Sequence, residues 1–264
     1  MIAKYSHYDA LKVEWAAPGV LRVAFNRPDQ RNAMNDDVHR HISDIWLDID
    51  ADDDVRSVLV CGEGSDFCAG GDLGMVIDMM EDRDKRRRTM REAQRLVYNM
   101  INCAKPIVSA MQGSVVGGGL AVGLLADISI AAKDARLLDG HLRIGLAAGD
   151  HAVLIWPLLC GLAKAKYHVM MNKPVSGEEA ERIGLVSMAV DGAELAQVAL
   201  EAAVSLAALP ATAMRRTKYA FNSWLRAAGP QFDLSHAFEE MSFETDEVVQ
   251  AVDTLRQRKA SKPT

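Results

Sequence analysis

Residues 112–121 read QGSVVGGGLA and place three consecutive glycines, 117–119, between two apolar segments. The segment before them, 107–111, is typical of a buried strand, and the segment after them, 120–126, is typical of a helix. Glycine removes every side chain where the backbone turns, and the first N–H groups of a helix have no partner within it. The helix dipole favours negative charge at that end. A tight turn or close helix packing explains the glycines equally well, so this candidate anion site needs support from other segments.

The composition is that of an ordinary globular protein. The 264 residues are 49% hydrophobic and 25% charged, with a net charge of −6. Such a chain can bury a large core, and its acidic balance argues against a general binder of nucleic acid or anionic membranes. Four cysteines form no CxxC pair, which favours free thiols in a reducing compartment. No apolar run approaches the ~20 residues of a membrane span, so we expect a cytoplasmic protein with neither nucleic-acid nor membrane partners.

Strands and helices alternate through the first half of the chain, and helices dominate the second half. Periodicity predicts strands at 11–15, 20–25, 57–61, 107–111, 127–131, 135–138 and 184–186. It predicts helices after an Asn35 cap, at about 76–102, and at 153–159 and 163–171, with Pro157 in a break or first turn. Further helices are predicted after Ser176 and at 193–208, 211–227, 231–243 and 245–259. The basic run 85–88 follows three acids, which predicts a solvated helix face, with an anion contact as the alternative.

A second glycine loop follows the strand at 57–61 and reads GEGSDFCAGGDLG, residues 62–74. If it lies beside glycines 117–119, one backbone N–H from each loop can hold a single oxygen atom. Such an oxyanion hole requires donors about 2.7–3.1 Å from the developing negative charge. The two loops meet only if the strand order places them side by side.

Four segments together resemble the crotonase (enoyl-CoA hydratase/isomerase) superfamily, in its order and spacing. They are FNRPDQRNAMN at 25–35, GEGSDFCAGGDL at 62–73, KPIVSAMQGSVVGGGLAVGLLADISIAA at 105–132 and SGEEAERIGLVS at 176–187. The resemblance implies an α/β fold, with a spiral of repeated ββα units at 1–200 and a helical trimerisation region at 201–264. It also implies a homotrimer or a dimer of trimers. The implied substrate is an acyl-CoA thioester, with coenzyme A as part of the substrate and no separate cofactor.

The resemblance assigns roles to individual residues. Carried over position by position, the oxyanion donors are the N–H groups of Gly71 and Gly118. The implied contacts to coenzyme A are Arg27, Arg31, Asn32, Ala33, Ala69, Gly70, Asp72 and Leu73. For Asp72, we favour a cap that fixes the loop over a catalytic role.

The chain departs from the family pattern at both catalytic glutamates of the hydratases. The first lies two residues after the third glycine, and that position is Ala121; the second lies twenty residues further on, at His141. Hydration needs one group to activate water and another to deliver a proton to Cα. Alanine can do neither, so the two-glutamate mechanism does not apply to this chain.

His141 and Asp150 are the remaining candidates for acid–base chemistry. Their spacing of nine residues and the later Trp156-Pro157 resemble the β-diketone hydrolase branch of the superfamily, typified by 6-oxocamphor hydrolase. Aspartate can act as base or nucleophile, and imidazole can carry protons near neutral pH. The alternative is a loop histidine and an N-cap aspartate. The other histidines show no ligand spacing and predict no metal site, and no pattern assigns a role to Glu63, Asp66 or Glu239.

Taken together, these patterns predict an enoyl-CoA hydratase/isomerase-like enzyme that stabilises a thioester enolate between Gly71 and Gly118. One alternative is hydrolysis of a carbon–carbon bond in a β-diketone or β-keto substrate by His141 and Asp150. Another is a CoA-binding protein with impaired catalysis, because of Ala121. The size of the acyl group depends on the helix after Gly74 and on the C-terminal helices, so the sequence leaves it open.

Overall fold

Nine strands form two sheets in the part of the chain that the computed structural model describes, residues 2–260. They are β1 (Leu11–Ala17), β2 (Val20–Phe25), β3 (Ser57–Gly62), β4 (Ile107–Met111), β5 (Ser114–Val116), β6 (Ile128–Ala132), β7 (Arg136–Leu138), β8 (Val175–Ser176) and β9 (Met188–Val190). The larger sheet has the order β1-β2-β3-β4-β6-β9 and is parallel except for the β1–β2 hairpin. The smaller sheet has the order β5-β7-β8.

Helices cover both sheets and make up the C-terminal part of the chain. They are α1 (Asp36–Ala51), α2 (Leu73–Glu81), α3 (Arg83–Asn102), α4 (Gly118–Leu125), α5 (Ala152–Met170), α6 (Gly177–Arg182), α7 (Leu195–Ala208), α8 (Ala211–Phe221), α9 (Ser223–Ala227), α10 (Gly229–Ser242) and α11 (Asp246–Ala260). Short 3₁₀ helices lie at Ala3–Tyr5, Pro28–Gln30 and His141–Ile144. The predicted mixed α/β fold is confirmed; residues 261–264 of the predicted C-terminal region lie outside the described residues.

The local start signals in the sequence are confirmed by side-chain caps. The Asn35 side chain accepts a hydrogen bond of 3.1 Å from the Val38 N–H at the start of α1. The Ser176 hydroxyl accepts one of 3.1 Å from the Glu179 N–H at the start of α6. Each cap satisfies one of the donors that a helix leaves free at its N-terminus.

Three predicted helices have different boundaries in the structure. The helix expected at about 76–102 is two helices, because Asp82 is extended and its side chain caps α3. In α5, Pro157 lies within the helix, and the irregular residue is Gly161 with φ 76°, a value that favours glycine. The helix expected at 211–227 divides at Asn222, whose buried side-chain amide donates a hydrogen bond of 2.8 Å to the Ile101 carbonyl.

Strand predictions fail at three short segments: one predicted strand is absent, and β5 and β8 were not predicted. Residues 184–186 form a turn with Gly184 at φ 79°, and the Leu185 N–H donates back to the Ala180 carbonyl. The strand in this region is β9, a few residues later, which pairs with β6. The strand β5 was not predicted, because three residues next to glycines carry too little periodicity.

The basic run at 85–88 does not form a uniformly solvated face. Arg86 is buried, and it donates to the Met79 carbonyl at 3.3 Å and pairs with Glu244 at 3.1 Å. Lys85 pairs with Asp36 at 2.7 Å, while the other two arginines are exposed. The first two basic residues therefore join α3 to its neighbours.

The C-terminal helices begin on the main sheet. Helix α7 packs on β3 and β4 through Leu195, Ala199 and Ala203, and it spans residue 200, where the predicted division between 1–200 and 201–264 falls. That division stays a prediction. No single helix among residues 2–260 is long and apolar enough to cross a membrane. Helices α7 and α8–α9 together have the length and apolar composition of a span, but they are bent by 112° relative to each other.

The register of two central strands positions the glycine loops. Strands β3 and β4 run parallel, with Val60 opposite Ser109, so both end at the same edge of the sheet. The loop after β3 contains Gly70 and Gly71. The segment after β4, which includes β5 and the first residue of α4, contains Gly117 and Gly118. Ligands of parallel sheets bind outside the carboxyl ends of the strands, and this edge is where the candidate site lies.

Candidate functional site

The two glycine loops lie side by side, as an oxyanion hole requires. The Cys68 N–H donates to the Ser114 carbonyl at 3.0 Å, and the Val116 N–H donates to the Cys68 carbonyl at 2.9 Å. A Cβ on Gly119 would lie 2.5 Å from the Cys68 Cβ. The close approach of the loops therefore requires glycine at this position.

The backbone N–H groups of Gly71 and Gly118 are candidate donors to a ligand. Within residues 2–260, neither of them donates a hydrogen bond. Gly117, with φ 51°, caps α4, so Gly118 is the first residue of the helix, where an N–H has no partner inside the helix. Both glycines line one cavity of about 560 Å³. Two free donors at the wall of one cavity are the arrangement that stabilises a developing oxyanion.

A buried histidine surrounded by three carboxylates lines the same cavity. His141 Nδ1 lies 3.1 Å from Asp139 Oδ1, and His141 Nε2 lies 3.7 Å from Asp150 Oδ2 and 3.5 Å from Glu239 Oε1. The three acids come from the end of β7, the segment before α5, and α10. All four residues are buried, so their charges are screened only weakly by water.

The charges in this cluster stabilise one another. Burial disfavours the charged form of His141, but the three carboxylates outweigh it and raise its pKa well above the ordinary value. Burial alone would raise the pKa of Asp150, but the imidazoles of His151 and His141 hold it well below the ordinary value. Near neutral pH the site therefore holds a carboxylate at Asp150 and an imidazolium at His141.

The carboxylate of Asp150 lies next to the glycine loop at residues 117–119. Its Oδ2 is 3.8 Å from the position that a Cβ on Gly118 would occupy. Its other oxygen is hydrogen bonded to His151 Nδ1. The alternative in which Asp150 caps α5 is wrong, because His151 is the N-cap residue and no side chain caps this helix.

The structure brings the four predicted catalytic residues, Gly71, Gly118, His141 and Asp150, to one cavity. Their catalytic roles stay predictions. Ala121 is buried on α4 and carries no group that could exchange a proton.

The predicted contacts to coenzyme A divide into two groups. Arg31, Ala69 and Gly70 line the cavity, whereas the residues outside its wall are Arg27, Asn32, Ala33, Asp72 and Leu73. The predicted cap at Asp72 is confirmed, since its side chain accepts from the Gly74 N–H at 2.9 Å.

Asn32 organises the loop that precedes the cavity. Its buried side chain accepts from the Arg27 N–H at 2.8 Å and donates to the carbonyls of Glu63 and Asp66 at 2.8 and 2.7 Å. The structure thus gives Asn32 a structural function, and contact with coenzyme A stays a prediction for all eight residues.

Sequence reasoning assigned no role to three polar residues that line the cavity. Glu239 reaches it from α10 of the same chain, and Gly149 leaves the space, because a Cβ there would lie 2.2 Å from Glu239 Oε2. His39 also lines the cavity and pairs with Glu92 at 3.0 Å. Of the three, only Asp139 is close to another candidate in the sequence, two residues before His141. Glu239 and His39 reach the cavity only through the tertiary fold.

Three residues could also share a small cation. The ligand atoms of Asp139, Asp150 and His151 lie within 4.8 Å of one another. Asp139 already bonds His141, and Asp150 already bonds His151. Because both carboxylates hold imidazoles, we assign no metal to this cluster.

Comparisons with known proteins agree on one family. A family model described as enoyl-CoA hydratase/isomerase matches residues 16–260. The chain is 29% identical over 227 residues to a 1,2-epoxyphenylacetyl-CoA isomerase of Escherichia coli, covering 85% of this chain and 87% of the relative. It is 27% identical over 225 residues to a short-chain-enoyl-CoA hydratase of Clostridium acetobutylicum, covering 85% and 84%. A crystal structure of an enoyl-CoA hydratase/isomerase from Mycobacterium paratuberculosis matches with a TM-score of 0.89 and 31% identity, over 93% of this chain and 98% of that one.

The buried cluster predicts a pH-dependent contribution of His141 to stability. Its pKa is raised in the folded state, so its protonation stabilises the fold fully below the ordinary value of about 6.5, and the effect is lost as the pH rises through the raised pKa. We expect His141→Gln to lower the free energy of unfolding by about 3 kcal/mol at pH 6. The loss should shrink at alkaline pH.

Urea unfolding followed by circular dichroism at several pH values measures this difference. His7→Gln is the control, because His7 is exposed and pairs with Asp48 at 3.1 Å; its effect should stay within about 0.5 kcal/mol. A loss at His141 that is independent of pH would contradict the assigned charge.

Proposed function

Because the chain belongs to the enoyl-CoA hydratase/isomerase family, we propose that it binds acyl-CoA thioesters and converts them through an enolate held by the N–H groups of Gly71 and Gly118. The observation that carries this proposal is the pair of free donors on one cavity wall beside the Asp150 carboxylate. The thioester oxygen gains negative charge as the enolate forms, and fixed donors stabilise that charge without reorganising. Coenzyme A is part of the substrate, and the proposed reaction uses no separate cofactor.

The reaction that this geometry supports best is movement of a double bond by proton transfer. Asp150 accepts the proton from Cα of a 3-enoyl thioester, and the electron pair moves onto the thioester oxygen between the two donors. The enolate then returns its electrons through the carbon chain, and a proton is added at Cγ, which leaves a 2-enoyl thioester. Asp150 or the His141 imidazolium supplies that proton, and no atom is gained or lost overall. One carboxylate near the enolate is enough for this reaction, whereas hydration needs two placed groups.

Hydrolysis of a carbon–carbon bond is the second candidate, and the carboxylates around His141 favour it. Water adds to a carbonyl carbon β to the thioester, and the bond from that carbon to Cα breaks. The leaving carbon becomes the enolate in the oxyanion hole and then takes a proton, while the attacked carbon becomes a carboxylic acid. The Asp150 carboxylate can accept a proton from the attacking water, and the His141 imidazolium beside it can donate a proton to the leaving carbon. A CoA-binding protein with impaired catalysis is the outcome in which thioesters bind and neither reaction is detected.

We also propose a cytoplasmic location. The support is that Cys61, Cys68 and Cys103 are buried free thiols, which suits a reducing compartment.

The oxyanion hole is tested by removing one donor. Gly118 is the first residue of α4, a position where proline fits a helix, so Gly118→Pro removes the N–H with little change to the helix. We expect turnover to fall ~10²–10³-fold. Gly118→Ala is the matched control: it keeps the N–H, and its Cβ would press on the flexible end of Met34 at 2.5 Å and lie at ordinary contact distance, 3.8 Å, from Asp150 Oδ2. Equal turnover by the two variants would exclude this donor.

The proton-transfer role is tested at Asp150. Asp150→Asn keeps the shape of the side chain but removes the base, so we expect turnover to fall ~10²–10⁴-fold while thioester binding is retained. The measurement is product analysis with a 3-enoyl-CoA and with a β-keto acyl-CoA, which also separates the two reactions. Asp54→Asn is the control, since that side chain is 82% exposed. An active Asp150→Asn would refute the role of Asp150 in proton transfer.

Hydration of crotonyl-CoA should be slow in the wild type and in Ala121→Glu, because hydration needs two placed acid–base groups. Rapid hydration by the wild type would show that another residue supplies the missing group.

We propose, finally, that the chain assembles as a homotrimer or a dimer of trimers. Its support is a set of exposed apolar side chains on α5 and the C-terminal helices, including Leu162 (57%), Met170 (67%), Phe221 (71%) and Trp224 (70%), because exposed apolar patches of this kind mark interfaces. Light scattering should give three or six times the monomer mass. Trp224→Glu should lower that mass, and Leu47→Glu, an exposed site on α1 (58%), should not. A wild-type monomer at micromolar concentration would refute the assembly.

A further inference from the structure

The cavity at the glycine loops is larger than a short acyl group requires. Its volume is about 560 Å³, and one water occupies ~30 Å³ of liquid, so the cavity has room for roughly 19 heavy atoms at that density. A four-carbon acyl group and the cysteamine end of coenzyme A would together fill about half of it by the same measure. The remaining space is available to water, to more of coenzyme A beside Arg31, Ala69 and Gly70, or to a larger acyl group, and the character of the lining distinguishes these occupants.

One side of the cavity is lined by six apolar side chains. We call this side the acyl wall; its members are Met75, Val76, Met79, Met90, Leu146 and Phe243. Met75 and Met79 are four residues apart on α2 and so share one helix face. Water against such a surface is unfavourable, which leaves apolar substrate as the occupant that this wall suits.

The acyl wall belongs to a hydrophobic cluster that is separate from the main core. It packs with Val248 and Val252 of α11, whereas the large cluster contains the residues of the two sheets. Arg86 joins the parts of the smaller cluster: it donates to the Met79 carbonyl, pairs with Glu244 and lies 6.0 Å from the centre of the Phe243 ring. The wall can therefore adjust its shape without repacking the sheets.

Methionine at three of the six wall positions adds to this adaptability. The side chain is unbranched and polarisable, and it fills irregular gaps against ligands of varied shape. Met75, Met79 and Met90 are each at least nine-tenths buried, so they are oriented into the cluster rather than into bulk solvent.

We propose that the acyl wall selects acyl-CoA thioesters with a bulky apolar acyl group, of roughly ten carbon atoms, over short-chain thioesters. This inference rests on the proposed function, since it takes the thioester to lie at Gly71 and Gly118. From that point the acyl group extends past His141 and Asp150 to the wall. The substrate class is thus a medium-to-large, apolar acyl thioester, in a chain or a ring.

Binding of saturated thioesters tests the selection without depending on turnover. We would measure the Kd of butyryl-CoA and decanoyl-CoA for the full chain by calorimetry, below the concentration at which decanoyl-CoA forms micelles. Each fully buried methylene tightens binding about fourfold. The six additional methylenes should therefore tighten binding by roughly 100-fold or more, even with partial burial.

A variant that fills the cavity shows whether the wall is responsible. Met79→Trp should weaken decanoyl-CoA binding at least tenfold and leave butyryl-CoA within about threefold. Leu47→Trp is the matched control, because Leu47 is 58% exposed and lies outside the cavity wall, and both Kd values should be unchanged. If Met79→Trp does not fold by circular dichroism, Met75→Phe makes the same test with a smaller increase in volume.

The outcomes separate this inference from the function it rests on. Equal affinities for butyryl-CoA and decanoyl-CoA, or a decanoyl-CoA affinity that Met79→Trp leaves unchanged, overturn the selection by the acyl wall while the oxyanion hole stands. Failure to bind any CoA thioester overturns the proposed function itself.

Discussion

The backbone pairing of the segment at Cys68 with β5 is the interaction on which the site depends. In this pairing the Cys68 N–H donates to the Ser114 carbonyl and the Cys68 carbonyl accepts from the Val116 N–H. The loop after β3 is thereby fixed against the start of α4. The N–H groups of Gly71 and Gly118 then open into one cavity. The pairing requires a surface without side chains, since a Cβ at position 119 would overlap Cys68. The three glycines are therefore a packing requirement as well as a source of donors.

The second feature of the site is a buried set of charges in which one histidine faces three acids. A carboxylate moved alone into such a place would protonate. The mutual attraction favours the charged forms of Asp150 and His141, so that a carboxylate and an imidazolium lie beside the free N–H groups of the glycine loops at one pH. This arrangement is different from a pair of glutamates on the two sides of a double bond. The proposed enolate chemistry relies on this arrangement, because Ala121 carries no group that could exchange a proton.

The third feature is the division of the apolar interior into two clusters. The larger one contains the sheets and holds the glycine loops in place, while the smaller one, built mainly from α2, α3 and α11, lines the cavity. Precision at the reacting atoms needs rigid support, and recognition of an apolar group tolerates movement. Arg86 keeps the smaller cluster together at the point where α2, α3 and the residues after α10 meet.

Much of this protein was determined by local sequence. The glycine loops, the Asn35 and Ser176 caps, most strands and the spacing from His141 to Asp150 follow from residues that act on near neighbours, and hydrophobic periodicity predicts the α/β fold. Helix breaks at Asp82 and Asn222 were missed, because each depends on a backbone angle or a bond to a distant residue. The kink at Gly161 falls in the gap predicted between residues 159 and 163. Only the tertiary structure brought Glu239 to His141 and gathered the methionines of the acyl wall. The reason is that contacts between residues far apart in the chain are set by how helices pack on the sheet, and a single sequence carries no periodic signal for them.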